Sequence, residues 1–130
     1  MTRFDARTPT DRRKLFAEAV TAHRERGSPF LTVEVDPGDD EWPDGVPWIQ
    51  FAGDVVNLDC TEEELDPLKA VLEEYPAFKI DEINRPEEAP GTNVRISAKA
   101  DKSRVAGFLD DALLAVYELP EDYRAWVTEV

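Results

Sequence analysis

The spacing of hydrophobic and polar residues along the chain predicts both strands and helices. Alternation with a period of two, typical of a strand with one buried face, first occurs in 30–35, where Leu31, Val33 and Val35 are the apolar set. The same alternation predicts a hairpin with strands at 47–52 and 55–59, and further strands at 77–83 and 93–100. The tail YRAWVTEV alternates more weakly. We interpret it as a short strand, with a helical turn as the alternative.

Apolar residues three and four positions apart predict three helices. The first begins at Thr8 as N-cap, has Pro9 in its first position and stops at Gly27. The third begins at Asp101 and continues to Tyr117, with the most regular apolar stripe of the chain. For the helix between them the sequence offers two starts. Thr61 and Glu64 form a T-x-x-E capping box, whereas Asp66-Pro67 is itself a favourable pair for a helix start.

The order of these elements predicts the fold class. We expect one domain spanning 1–130 in the order α-β-β-β-α-β-β-α followed by a C-terminal tail. Consecutive antiparallel strands with helices on one face form an α+β two-layer sandwich, here with a mostly antiparallel, five-stranded sheet. The element order resembles that of type III secretion chaperones and their relatives, which are small acidic dimers that hold partner polypeptides. The resemblance covers most of the chain as an order of elements, and it implies a fold and not a function.

Charge is the strongest compositional signal. The chain has 29 acidic and 15 basic residues, a formal net charge of −14, and ten of its bases are arginines. Such a surface repels itself less in concentrated salt, because the Debye length falls from about 10 Å at 0.1 M to about 3 Å at 1 M. This composition resembles that of proteins from salt-in halophilic archaea. A hydrophobic content of 42% with three Trp and six Phe argues against acidic disorder.

The bases are concentrated in the first helix. Residues 1–28 carry seven bases and four acids, which leaves the remainder of the chain at −17. We expect this helix to pack against acidic neighbours of its own chain, with a basic docking face for a partner as the alternative.

Cysteine and histidine, two residue types with reactive side chains, each occur once in the chain, as Cys60 and His23. A thiol becomes nucleophilic beside a cation or a base, but the neighbours of Cys60 include Asp59 and three glutamates. We therefore expect Cys60 to be inert, and to pack on Leu65 as a hydrophobic staple ahead of the capping box. His23 lies in the last turn of its helix, where a cation is favoured by the helix dipole, and no second histidine exists to share a metal. With a single cysteine, a disulfide within the chain and a Cys/His zinc set are excluded.

Metal, catalytic and phosphate-binding motifs are absent from the sequence. The acidic loop 36–47 fails as an EF-hand, because starting at Asp40 places Trp42 and Phe51 at ligand positions, and starting at Asp36 places Glu41 where glycine is required. Adjacent acids such as Asp110-Asp111 are interpreted as solvated helix surface. The sequence contains no GxGxxG, GxxxxGK[ST], GxSxG or HExxH. It predicts no cofactor and favours a protein that is not an enzyme.

Two surfaces remain as candidate sites. Arg95, Lys99, Lys102 and Arg104 cluster near the last strand-to-helix junction, and this patch predicts a small-anion or nucleotide site. It is too small for nucleic acid, which the acidic remainder would repel. The other surface is the sheet face away from the helices, where three large apolar side chains lie among polar ones. Its predicted residues are Phe30, Thr32, Trp48, Gln50, Val55 and Asn57.

From these surfaces we expect a non-enzymatic interaction or adaptor module, homodimeric through the apolar face. The anion-binding protein, conceivably an enzyme, is the alternative. A loop or tail containing Trp42 or Trp126 that folds over the apolar face would remove the first possibility. The N-terminal segment has no apolar core of the kind a signal peptide needs, and no stretch approaches the roughly 20 apolar residues of a membrane span. A cytoplasmic location is the expectation.

Overall fold

The computed structural model describes residues 4–39, 41–43, 45–87 and 91–128. These described residues form three helices and seven strands, which follow one another in the order β-α-β-β-β-α-β-β-α-β. The strands are β1 (Phe4–Ala6), β2 (Leu31–Val35), β3 (Trp48–Ala52), β4 (Val55–Cys60), β5 (Lys79–Asn84), β6 (Thr92–Ser97) and β7 (Ala125–Thr128). The helices are α1 (Pro9–Arg26), α2 (Leu65–Glu73) and α3 (Lys102–Val116).

The strands form one antiparallel sheet in the spatial order β1-β7-β2-β3-β4-β6-β5. The α+β class and the antiparallel sheet predicted from the sequence are confirmed. The predicted number of five strands is wrong, because two strands from opposite ends of the chain complete the sheet. The tail supplies β7, which pairs with β2 on one side and with β1 on the other.

Local sequence signals set the helix boundaries. The Thr8 hydroxyl accepts a hydrogen bond from the Asp11 amide at 3.2 Å, and Gly27 ends α1 with a left-handed φ of 61°. The Asp101 carboxylate caps α3 by accepting from the Arg104 amide at 2.9 Å. These three boundaries were predicted from the sequence and are confirmed.

The start of α2 combines the two predicted alternatives. Thr61 and Glu64 form the capping box reciprocally: the Thr61 hydroxyl accepts from the Glu64 amide at 3.2 Å, and the Glu64 carboxylate accepts from the Thr61 amide at 2.8 Å. The box closes a separate turn over 62–64, and the helix begins at Leu65. Pro67 therefore lies in the first turn of the helix, where its missing N–H costs no hydrogen bond.

The hairpin between β3 and β4 turns on Gly53 and Asp54, which have φ values of 53° and 62°. Two consecutive left-handed residues are the signature of a type I′ turn, whose twist matches that of the flanking strands. This turn fixes the register in which Gln50 faces Asn57 and Ala52 faces Val55. The same register alternation places Ile49, Phe51, Val56 and Leu58 in the core.

The hydrophobic core lies between the sheet and the three helices. Helix α3 packs against both α1 and α2, while α1 also contacts β1, β2 and β7. The aromatic rings of Tyr75, Phe78 and Phe108 lie within 5.0–5.4 Å of one another at the α2 end of this layer. Because the helices share one buried cluster with the inward-facing strand residues, the opposite face of the sheet is left without helical cover.

A buried ion pair crosses the helix layer. Arg12 of α1 and Asp110 of α3 are both fully buried, and the Arg12 Nε donates to the Asp110 Oδ1 at 2.7 Å. Tyr123 donates its hydroxyl to the same oxygen at 2.8 Å, and its ring lies 3.9 Å beneath the Arg12 guanidinium. The prediction that Asp110-Asp111 is solvated helix surface is therefore wrong for Asp110. Asp110 lies one helical turn from Ala106 and faces α1 rather than water.

Candidate interaction surface on the outer sheet face

The face of the sheet that points away from the helices is called the outer face below. Its central row runs across five strands through directly paired residues: Thr128 of β7, Thr32 of β2, Gln50 of β3, Asn57 of β4 and Arg95 of β6. A second row runs parallel to it and consists of Trp126, Glu34 and Trp48. On the other side of the central row, Ala52 pairs with Val55, and Val55 pairs with Ser97.

The structure brings together five of the six residues that the sequence predicted for this surface. Thr32, Trp48, Gln50, Val55 and Asn57 all point outward from β2, β3 and β4. The sixth, Phe30, directly precedes β2, and its side chain is 39% exposed. The alternation of buried and half-buried residues along these strands is what places them on one face.

Two further residues of the outer face, Trp126 and Glu34, were missing from the predicted set. Each pairs directly with the other, and Glu34 also pairs with Trp48, so a carboxylate lies between two indole side chains in one row. The sequence signal for Glu34 was its position two residues after Thr32, because residues two apart on a strand point to the same face of the sheet. For Trp126 it was the alternation of the tail, which becomes informative once the tail is recognised as a strand within the sheet.

A pocket of about 420 Å³ opens in this part of the outer face. Trp48, Trp126 and Glu34 line it together with Thr32 and Gln50, and Pro37, Val46 and Pro47 line the rest of it. We call it the tryptophan pocket. Its walls are apolar and aromatic, and its charged lining residue is a carboxylate, so its chemistry suits a cation with a flat or apolar surface.

The centre of the outer face is poor in charge. Thr128, Thr32, Gln50 and Asn57 are uncharged, in a chain of which 34% of residues are charged. The charges of this face lie at Glu34 in the second row, at Arg95 at one end of the central row, and toward the sides at Asp5 of β1 and Glu82 of β5. A face with few charges on its central strands, with two tryptophans and with charged sides has the composition of a protein–protein interface.

Neither of the two tryptophan segments folds over the outer face. The Trp42 indole donates to the Pro37 carbonyl oxygen at 3.0 Å, and its side chain packs against the hydrophobic core. The Trp126 segment is strand β7 itself and forms part of the face. Within the described ranges, the Trp42 side chain and the Trp126 segment leave the centre of this face uncovered, and Pro37, Val46 and Pro47 of the loop that contains Trp42 lie at its edge.

The structure places Arg95 and Arg104 of the predicted anion site on different surfaces. Arg95 points outward from β6 and lies 3.8 Å from Glu82 on β5. The Arg104 guanidinium lies in the helix layer, 5.3 Å from the centre of the Tyr75 ring. Lys99 and Lys102 are exposed near the start of α3. Asp101 already binds the Arg104 amide there, so its carboxylate occupies the position that an anion would take at this helix start.

The environment of Cys60 opposes thiolate formation. The side chain is 4% exposed, and burial together with the nearby carboxylates of Glu64 and Asp59 raises the pKa of the thiol to about 11. Cys60 joins Leu65 in the hydrophobic core, as the staple interpretation requires. His23 differs from expectation: burial and the charge of Arg24 lower the pKa of its imidazole, so the neutral ring is favoured at the end of α1. Its Nδ1 lies 2.8 Å from the Ser28 hydroxyl.

Three bases of the first helix, Arg12, Arg13 and Arg24, have partners within the chain, in agreement with the packing interpretation. Arg13 lies 3.1 Å from Asp111, and Arg24 lies 3.2 Å from Asp54 and also donates to the Ala100 carbonyl oxygen. Arg12 is buried and unavailable to a docking partner. A basic docking face on α1 stays a prediction for the remaining bases.

Among the residues described, no three His, Cys, Asp or Glu side chains are grouped so as to hold a metal ion. The EF-hand positions Asp40 and Asp44 lie outside the described residues. None of the described helices is long and apolar enough to cross a membrane.

Comparison with known proteins places the chain in a family without assigning it an activity. The chain belongs to DUF7975, a family of unknown function whose model matches residues 1–130. Neither the curated proteins nor the solved structures contain a significant match.

Proposed function

We propose that this protein is an interaction module that associates with a second copy of itself through the outer face of its sheet. The observation that carries this proposal is a broad face of seven strands that none of the described helices covers, with few charges on its central strands and with two tryptophans. Interfaces are depleted in charge at their centre and enriched in tryptophan, and this face has both properties within a chain of net charge −14.

Electrostatics favours a self-complementary face over other regions of this surface. Two copies that each carry −14 repel one another, and the repulsion is smallest where the two surfaces in contact carry the fewest acids. The central row meets that condition, because four of its residues are uncharged and the fifth, Arg95, is a base. The same argument makes association depend on salt, since ions screen the repulsion between the copies while leaving the apolar contact in place.

The dimensions of the face set the strength of association to be expected. Seven strands about 4.8 Å apart and about 17 Å long give a footprint of about 570 Å². Specific interfaces commonly bury about 800 Å² on each partner. The footprint of the face is smaller than this usual area. We therefore expect a weak dimer that forms at micromolar concentrations.

Sedimentation velocity across a concentration series, in 0.1 M and in 2 M KCl, tests this function. We expect a monomer–dimer equilibrium that shifts toward the dimer at 2 M KCl. Val55→Asp places a charge in the centre of the face and should give a monomer. Ala70→Asp is the matched control, because it adds the same charge at an exposed position on α2. A wild-type protein that stays monomeric up to about 100 µM in both salts, above the micromolar range expected of a small interface, overturns the proposal.

A further inference from the structure

The tryptophan pocket has the chemistry of a binding site for a guanidinium group, which we call the arginine seat. Glu34 lies between Trp48 and Trp126 in one row of the sheet. Arginine presents a planar cation that stacks on indole rings and donates paired hydrogen bonds to a carboxylate, which the compact ammonium of lysine does less well. Two indole walls and one carboxylate satisfy both requirements in a single pocket.

The width of the pocket agrees with this assignment. Trp48 and Trp126 are attached to strands on either side of β2, so their backbones are about 10 Å apart. A flat group held between two ring faces needs about 7 Å, since each stacked contact takes about 3.5 Å. The indole rings can therefore close on a guanidinium by leaning inward.

Arg95 is an arginine on the same face that can leave its present position. It lies in the central row on β6, with its side chain 56% exposed. Its partner Glu82 is 3.8 Å away and 59% exposed. Exposed ion pairs at such distances contribute little to stability. Arg95 can therefore leave Glu82 and pair with a different carboxylate at little cost in free energy.

Two-fold symmetry brings Arg95 to the pocket of a second copy. In the central row, Thr32 and Arg95 are separated by Gln50 and Asn57. A two-fold axis parallel to the strands and midway between β3 and β4 exchanges β2 with β6. It thereby places Arg95 of the second copy over Thr32. Glu34 is two residues further along β2, about 7 Å along the strand, and stacked sheets lie about 10 Å apart, so the two Cα atoms are about 12 Å apart. An extended arginine side chain and the glutamate side chain together span that distance.

We infer that two copies stack by their outer faces about this axis, and that Arg95 of each copy inserts into the tryptophan pocket of the other to pair with Glu34. The inference rests on the proposed function and specifies its geometry. The contact is isologous, because a single rotation produces both arginine seats. It also assigns the pocket a role, as the site that fixes the register between two sheet faces that carry few charges.

A charge-exchange experiment tests the inference. Glu34→Arg and Arg95→Glu each place like charges together at both seats, and we expect each to weaken dimerisation by about tenfold or more. The double variant Glu34→Arg/Arg95→Glu restores opposite charges with the positions exchanged, and should recover affinity to within about threefold of the wild type. Lys102→Glu is the matched control for net charge, because it alters the total by the same amount as Arg95→Glu at the start of α3.

The outcomes separate this inference from the proposed function. If both single variants dimerise as the wild type does while Val55→Asp is monomeric, the face is the interface but the arginine seat is wrong. If both single variants are weak and the double variant is no stronger than either, the pairing of Glu34 with Arg95 is wrong. Failure of the wild type to dimerise removes both proposals. Each variant is first checked for a cooperative thermal transition.

Tryptophan fluorescence gives a second, independent measurement. Trp42 lies outside the tryptophan pocket and packs against the core, so Trp42→Phe leaves Trp48 and Trp126 as the reporters. We expect their emission to change with protein concentration in this background, and the change to disappear when Arg95→Glu is added. An emission spectrum that is independent of concentration while sedimentation shows a dimer would overturn the arginine seat.

Discussion

At the scale of single residues, the environment of Cys60 determines the reactivity of its thiol. Its thiol ends β4, is 4% exposed and faces the carboxylates around the start of α2. Burial is the larger cause of its raised pKa, and Glu64 and Asp59 add to it. The Glu64 carboxylate also completes the capping box, so one side chain both starts the helix turn and suppresses the thiolate.

The raised pKa predicts a specific loss of stability at alkaline pH. The thiol ionises near pH 9 in the unfolded chain and near pH 11 in the folded one. Its contribution is therefore fully present below pH 9 and is lost as pH rises toward 11. Between pH 8 and pH 10.5 the wild type should lose about 2 kcal/mol more unfolding free energy than Cys60→Ser. Urea titrations of both proteins measure this difference, and equal losses would show that the thiol is not protected.

The residues around Cys60 were predictable because they are neighbours in sequence. Thr61, Glu62 and Glu64 lie within four positions, so the capping box and the adverse field can be found without knowing the fold. Asp110 was not predictable in this way, because Arg12 is 98 positions away. A local signal did exist, since Asp110 follows Ala106 by one helical turn, but a charged residue beside Asp111 is usually solvated.

At the scale of elements, the ion pair of Arg12 and Asp110 joins three parts of the fold. It connects α1 to α3, and through Tyr123 it reaches the segment that leads into β7. Arg12 also donates to the Arg7 carbonyl oxygen, between β1 and α1. The contact thus positions both of the strands that lie at the ends of the described chain.

Removing one member of this pair should destabilise the protein far more than removing both. Arg12→Met or Asp110→Leu alone leaves an uncompensated buried charge, and each should lower the unfolding free energy by about 3–5 kcal/mol. The double variant leaves no buried charge and should lose less than either single variant. Arg13→Met, which breaks a partly exposed pair, should cost less than about 1 kcal/mol. Additive losses in the double variant would contradict this account.

Of the two strands at the edge of the sheet next to β2, β7 could be predicted from the sequence and β1 could not. Alternation of Tyr123, Ala125 and Val127 was sufficient to predict a strand in the tail, and Tyr123, Ala125 and Val127 are indeed buried. Strand β1 has three residues, which is too short for a period of two to be recognised. It forms because β7 offers it a pairing edge, and this is a property of the sheet rather than of residues 4–6.

At the scale of the whole molecule, charge determines behaviour in salt. The surface carries a formal net charge of −14, while the bases of α1 are partly used in pairs with Asp110, Asp111 and Asp54. Most of the remaining acids face water, where their mutual repulsion destabilises the compact state. This repulsion acts on each chain whether or not it dimerises.

Stability should therefore rise with salt. We expect the melting temperature to increase between 0.1 M and 2 M KCl, because the Debye length falls below the spacing of many surface charges. The measurement is made on Val55→Asp as well as on the wild type, so that a rise due to dimerisation can be separated from a rise due to screening. A melting temperature that is flat or falls in both proteins would contradict the prediction.

The position of β7 between β1 and β2 has a consequence for how the chain acquires its structure during synthesis. Strands β1 and β2 leave the ribosome early, but neither pairs with the other, because residues 125–128 must lie between them. The hairpin of β3 and β4 can form as soon as it emerges. The part of the sheet that consists of β1, β7 and β2 cannot form until residues 125–128 have been synthesised. Translation therefore proceeds with two strand edges exposed until β7, the last of the described strands to be made, pairs with both.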